Sequence, residues 1–196
     1  MSFISLRTLV LPSPSLDIEV NKRIGKATST LADLPTQVWT NPKLTVKTKM
    51  CVISTLLYDS ETWTTYGRQE RRLNTSHLRS NLHILGISWQ DRVSNTAVPS
   101  RTGLPSMHTL LSQQRLRWLG HIHFMEGGHI PKDIHNGELA SGKRTTGSPQ
   151  LCYKDVCMRD MKLLDIVMES RERFAADHMR WRSILNQHLK TAENKL

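Results

Sequence analysis

Metal binding is the first chemistry that the residue types suggest, because the sequence holds nine histidines and three cysteines. The densest run is His121 and His123, followed by His129 and His135. A tetrahedral zinc site needs four converging ligands, yet two residues apart on a helix His121 and His123 splay by about 200° around the axis. Cys152 and Cys157 stand five apart, Cys51 is remote from both, and no C-x-x-C pair completes a ligand set. The thiols therefore read as reduced, and the protein as intracellular, nuclear or cytoplasmic. For nucleophilic catalysis the sequence has no G-x-S-x-G elbow. For phosphate cradling it has no G-x-x-x-x-G-K-[ST] loop, and Gly142-Lys143 lacks the preceding glycine. Phosphoryl transfer by two metals needs clustered carboxylates; Asp59, Glu61, Asp91, Asp155 and Asp160 are scattered, and each is expected to cap a helix or lie at the surface. No catalytic residue, metal or other cofactor is expected, and the chain is not expected to be an enzyme.

The positive signal is arginine and lysine interleaved with aromatic residues. Arg68, Arg71, Arg72 and Arg79 form one cluster and Arg115, Arg117 and Trp118 another. Lys143, Arg144, Tyr153 and Lys154 follow, and then Arg180, Trp181 and Arg182. Guanidinium groups neutralise phosphates while apolar neighbours fix the helices that present them. A solvated face would explain any one cluster, but 27 Lys+Arg against 17 Asp+Glu leave a formal charge of +10, which favours a polyanionic partner. The candidate nucleic-acid-binding residues are Arg71, Arg72, Arg115, Arg117, Lys143 and Arg144, with RNA or DNA as the partner, bound without sequence preference.

The elements that must position these residues read as helices. Ser106 after Pro105 is a good N-cap, and Met107, Leu111, Trp118, Ile122 and Met125 recur at helical spacing, so a central helix is expected over 106–125. Val20, Ile24, Ala27, Leu31, Leu34 and Val38 predict an earlier helix whose start Asp17 and Glu19 favour and which Pro35 kinks or stops. After Asn41-Pro42, Val46, Met50, Ile53 and Leu57 predict a second helix running toward Trp63. A third is expected over 68–85, with Leu73, Leu78, Leu82 and Leu85 apolar and Gly86 as its stop. Residues 88–103 read as a broken segment because of Pro99. Two more helices are expected, over 153–164 and through Phe174, His178, Trp181, Leu185 and Leu189.

Strand patterns are scarce, so the expected class is mainly α: a bundle of about five to seven helices joined by polar basic loops, with little or no sheet. The expected organisation is a loosely ordered segment 1–16, a helical region 17–126, a basic Gly/Ser/Thr-rich loop 127–152 and a helical region 153–196. A length of 196 residues is enough for a proper core, although 38% hydrophobic and 6% aromatic content is lean. No apolar run approaches the roughly 18 residues of a membrane span, and the N-terminus is a poor secretory signal, so no membrane partner is expected.

Six strings occur in order: STLLYDSETWT (54–64), ILGISWQDRVSN (84–95), QRLRWLGHIHFME (114–126), IPKDI (130–134), GELASGKRTTGSPQ (137–150) and YKDV (153–156). They resemble the region after the polymerase palm in reverse transcriptases of LINE-type non-LTR retrotransposons. The resemblance runs from about residue 16 onward, and LRWLGH and ISWQDRVSN are its specific strings. It implies a thumb-like helical region at 17–126 and an origin in an RNA-directed DNA polymerase. That family's palm carries metal-binding aspartates, including a Tyr-x-Asp-Asp type motif, and these 196 residues contain none. The family's endonuclease would lie upstream and its Cys/His finger beyond residue 196. Relatives carry a few more residues between 48–49 and Ser54, Gly where Asp59 stands, a Leu-like residue at Pro99 and Arg at Ser148. The resemblance therefore implies a fragment without catalytic motifs that retains nucleic-acid binding, or, alternatively, an inactive translated pseudogene remnant.

Overall fold

A computed structural model of the protein describes residues 13–33, 38, 41, 51–126, 128–136, 151–166 and 178–193. Among the described residues the chain is mainly helical, with no strand. The described residues hold eight α-helices: α1 Ser13–Asp33, α2 Cys51–Leu56, α3 Gly67–Leu85, α4 Ala97–Thr102, α5 Met107–Phe124, α6 Ile130–Asn136, α7 Tyr153–Leu163 and α8 His178–Glu193. Two of them, α4 and α6, occupy stretches whose prolines and glycines read as broken segment and loop. None of the described helices is long and apolar enough to cross a membrane.

The described residues divide into two compact units, one from Met1–Leu16, Asp59–Tyr66 and Leu111–Leu196, the other from Asp17–Tyr58 and Gly67–Leu110. The break between Leu110 and Leu111 falls inside α5. The stretch Asp59–Tyr66 belongs with the C-terminal residues because Thr65 accepts a hydrogen bond from Arg115 and the Tyr66 hydroxyl accepts one from the Leu151 amide.

In the second unit α3 touches α2 and α4. It is tied to α1 by polar contacts: Asp17 accepts from Gln69 Nε2 at 3.2 Å and from Arg72 Nη1 at 3.3 Å, and Asn21 accepts from Arg72 Nη2. α1 begins earlier than the acidic residues suggest, and Pro14 fits its first turn, where the backbone N–H has no intrahelical acceptor. Its buried residues are Leu16, Val20 and Ala27, whereas Ile24 and Leu31 are half-buried. Leu34 and Pro35 lie outside the described residues, as do Val46 and Met50 of the expected second helix. That helix stops at Leu56, short of Trp63; a 3-10 turn, Ser60–Thr62, leads to the fully buried Trp63.

The buried stripe of α3 is largely polar. Leu73 and Ile84 are buried together with Gln69, His77, Ser80 and Asn81, while Leu78, Leu82 and Leu85 are half-buried. At about 100° per residue, Leu78 and Leu82 lie about 140–180° from Leu73, so those leucines never shared one face. The helix ends at Gly86 as expected. With φ +65 there, the Gly86 amide bonds His83 O and the Ile87 amide bonds Leu82 O, closing the helix through a left-handed residue that glycine adopts without steric cost.

His77 is buried inside this polar stripe, its Nε2 3.1 Å from Asn81 Nδ2. Burial lowers its pKa from 6.5 to about 4, and the Pro105 carbonyl beside the ring opposes the shift only in part. A base held neutral in the fold binds its proton more readily when unfolded. Stability from this residue is therefore complete above pH 6.5 and lost as pH falls from 6.5 toward 4. At about 1.4 kcal/mol per pH unit the loss reaches about 3 kcal/mol. Urea unfolding at pH 7 and pH 4 measures it, and His77→Leu is expected to remove this part of the pH dependence.

Pro99 does not break the chain. It is the third residue of α4, Ala97–Thr102, which is capped by Gly103, whose amide bonds Pro99 O at 2.8 Å. A first-turn amide has no helical acceptor, so proline costs little there. Asp59, by contrast, sits at φ 64, a left-handed conformation that glycine adopts more easily. Pro99→Leu is expected to leave the melting temperature nearly unchanged, and Asp59→Gly to raise stability by about 1 kcal/mol; thermal melts of the two variants side by side check both.

Candidate nucleic-acid interface

α5 carries the arginines that the sequence analysis placed at the centre of the site. Ser106 caps it, its Oγ accepting from the Thr109 amide at 3.2 Å. At the other end Lys132 of α6 donates through Nζ to Met125 O at 2.5 Å and His123 O at 3.3 Å, placing a cation on the helix's open carbonyls. Between the caps the helix is buried over much of its circumference. Met107, Thr109, Leu111, Ser112, Arg115, Leu116, Trp118, Leu119 and Ile122 all have under a tenth of their surface exposed.

Arg115 is a correction to the expected interface. Its exposure is 0%, and its Nε donates to Asp160 Oδ2 at 2.7 Å, where Asp160 is also 0% exposed. Nη1 donates to Thr65 Oγ1 at 2.9 Å, and the Tyr153 hydroxyl donates to the Arg115 carbonyl at 3.1 Å. This guanidinium is enclosed with its carboxylate and does not reach a phosphate in solvent. The physical reason is register: 100° per residue puts position 115 about 40° from Leu111 and about 20° from Ile122, in the middle of the apolar stripe. Asp160, expected to cap or lie at the surface, is the buried counter-ion. Burial keeps the neighbouring Cys157 a thiol by pushing its pKa to about 12 and holds Tyr153 well above the usual tyrosine range.

Around this pair Leu116, Trp118, Leu119, Ile122, Tyr153, Cys157, Met161, Leu164, Ile166, Trp181, Leu185 and Leu189 form one apolar cluster joining α5, α7 and α8. α7 starts with Asp155 Oδ2 accepting from the Cys152 amide at 2.8 Å, the capping role expected of that aspartate. Asp91 plays the same part for Ser88, whose amide it accepts at 2.6 Å.

Of the other expected contacts, Arg71 is exposed on α3. Arg72 is half-buried and engaged by Asp17 and Asn21, so much of its donor capacity is used within the fold. Lys143 and Arg144 lie outside the described residues. Arg117 is half-buried on the side of α5 away from Arg115; burial and the positive charge of Arg182 disfavour its cationic form. Arg71 and Arg117 belong to different units. Of the histidines, His121 and His129 are exposed, His121 lies beside the Trp118 ring at 5.2 Å between centroids, and among the described residues no three His, Cys, Asp or Glu side chains are grouped as a metal would require.

Arg182 is not among the six candidate residues that the sequence singles out. The Arg180-Trp181-Arg182 cluster was visible in the sequence, but its nearness to Arg117 depends on the packing of α8 against α5. No family model, no curated protein and no solved structure matches the chain.

Proposed function

We propose that this protein is a fragment derived from the reverse transcriptase of a LINE-type non-LTR retrotransposon, without polymerase or nuclease activity, that binds RNA or DNA non-specifically inside the cell. The observation that carries binding is the excess of positive charge, +10 over 196 residues, part of it on helices whose other faces are packed. Arg71 and Arg117 are held this way, and neither is enclosed as Arg115 is. The origin rests on the ordered strings, of which LRWLGH lies within the packed helix α5.

With Arg115 enclosed and Arg72 engaged by Asp17, four of the six proposed contacts are left: Arg71, Arg117, Lys143 and Arg144. If each neutralises one phosphate of a duplex, the slope of log K against log salt is expected near −4, at roughly −0.9 per phosphate. Filter binding of duplex and single strands from 50 to 300 mM salt tests it. Arg71→Ala should make the slope shallower by up to about one unit and weaken all sequences alike; no salt dependence, or strong preference for one sequence, would contradict the reading.

One observation favours the second reading, an inactive translated remnant. Asp59 occupies a left-handed position where relatives in the resembled family carry glycine, and the left-handed backbone costs a non-glycine residue stability. Absence of binding at low salt would favour that remnant.

A further inference from the structure

The α5–α8 contact brings two like charges together. Trp181 of α8 donates through Nε1 to Leu116 O at 2.9 Å and lies against Gly120, where an added Cβ would stand 2.3 Å from Nε1. Further along, Gln113 Nε2 donates to Asn186 Oδ1 at 3.3 Å. Ascending α8 from 181 to 186 thus descends α5 from 120 to 113, and the helices run antiparallel in close contact. Arg182 follows Trp181 and Arg117 follows Leu116, so the two arginines stand at the same level of the contact. Their charges interact. The Nε of Arg117 is buried with no hydrogen-bond partner, and among the described residues no carboxylate pairs with either guanidinium.

Two adjacent guanidiniums, one with an unused buried donor, are unfavourable unless an anion joins them. Planar forks of donors suit the oxygens of a phosphate. Phe124 lies seven residues beyond Arg117, two turns along and within about 20° of the same direction, and its ring is 60% exposed. An exposed ring beside a phosphate site suits an unpaired base, since a duplex keeps its bases stacked on one another.

We propose that Arg117 and Arg182 form a subsite for a backbone phosphate of single-stranded nucleic acid, with the Phe124 ring receiving a base of the same strand. This rests on the nucleic-acid reading above and narrows it to a strand type and a place. Removing a charge from the pair relieves repulsion, so the fold should not suffer when either arginine is neutralised.

Fluorescence anisotropy of the full chain with a labelled single-stranded oligonucleotide, and with a duplex of equal length, tests the subsite at 0.1 M salt. Arg117→Gln/Arg182→Gln is expected to weaken single-strand binding about tenfold and to make its salt slope shallower by about 0.7, the value for one phosphate. Phe124→Ala is expected to weaken single-strand binding about tenfold and leave duplex binding unchanged. Melting temperatures of these variants should equal or exceed that of the wild type; because Arg182 is exposed, Arg182→Gln alone must also weaken binding. Wild-type affinity in Arg182→Gln and the double variant overturns the subsite while leaving general binding intact. Equal losses for single strand and duplex in Phe124→Ala overturn the role of the ring, and no binding by the wild type overturns both this proposal and the reading it rests on.

Discussion

Asp160→Ala will destabilise the protein by about 3–5 kcal/mol, the range for removing one partner of an enclosed ion pair. Both side chains of the pair are fully buried, and Arg115 Nε has Asp160 Oδ2 at 2.7 Å. Without the carboxylate the guanidinium keeps Thr65 as an acceptor but loses the fully buried carboxylate that its Nε holds. The double replacement Arg115→Met/Asp160→Leu removes both charges at roughly similar volume and is expected to recover most of the loss, because exchanging a whole buried pair for apolar side chains is often neutral or better. Urea denaturation of the single and double variants measures both effects. A loss below about 1 kcal/mol for Asp160→Ala would mean that water reaches the pair.

Gly120→Ala will also destabilise, by about 3 kcal/mol or more, against the ordinary preference of helices for alanine. In an open helical position that exchange stabilises by up to about 1 kcal/mol, and Gly25 in α1, with nothing within 4 Å of an added Cβ, is expected to behave so. At Gly120 the same methyl group would meet Trp181 Nε1 at 2.3 Å and Cδ1 at 2.4 Å. The indole must then move, losing its bond to Leu116 O and disturbing the cluster that joins α5, α7 and α8. Overpacking costs about 1–3 kcal/mol and a buried donor left without its acceptor about 1–3 more. Thermal melts of Gly120→Ala and Gly25→Ala should shift in opposite directions.

These two positions show where the sequence was legible and where it was not. The class and most helices followed from spacing and caps: Ser106 and Gly86 mark the ends they were expected to mark, and Met107, Leu111, Trp118 and Ile122 are buried on α5. The role of Arg115 was legible too, since its place on the helical wheel puts it in that stripe, but reading charge as surface hid it. Asp160 was not legible, because the pairing spans 45 residues and depends on how α7 packs on α5. Nor was the contact at Gly120, a mid-helix glycine that local propensity reads only as a weak point. In α3 the leucines do not mark one buried face, since Leu73 and Leu78 point to different sides. The prolines misled in the opposite sense: Pro99 lies in a first turn, where the missing amide hydrogen has no consequence.

The proposed function divides the arginines: Arg115 is enclosed in the fold, while Arg71, Arg117 and Arg182 are proposed to meet a polyanion. Arginine modification by phenylglyoxal, read by mass spectrometry of peptides from the native chain with and without a bound polynucleotide, tests this most directly. The account predicts that Arg71, Arg117 and Arg182 react in the free protein and are protected when RNA or DNA is bound, and that Arg115 stays unmodified in both states. Reaction of Arg115 at the rate of Arg71 in the native chain, or full reactivity of Arg71 and Arg117 in the presence of saturating polynucleotide, would contradict it.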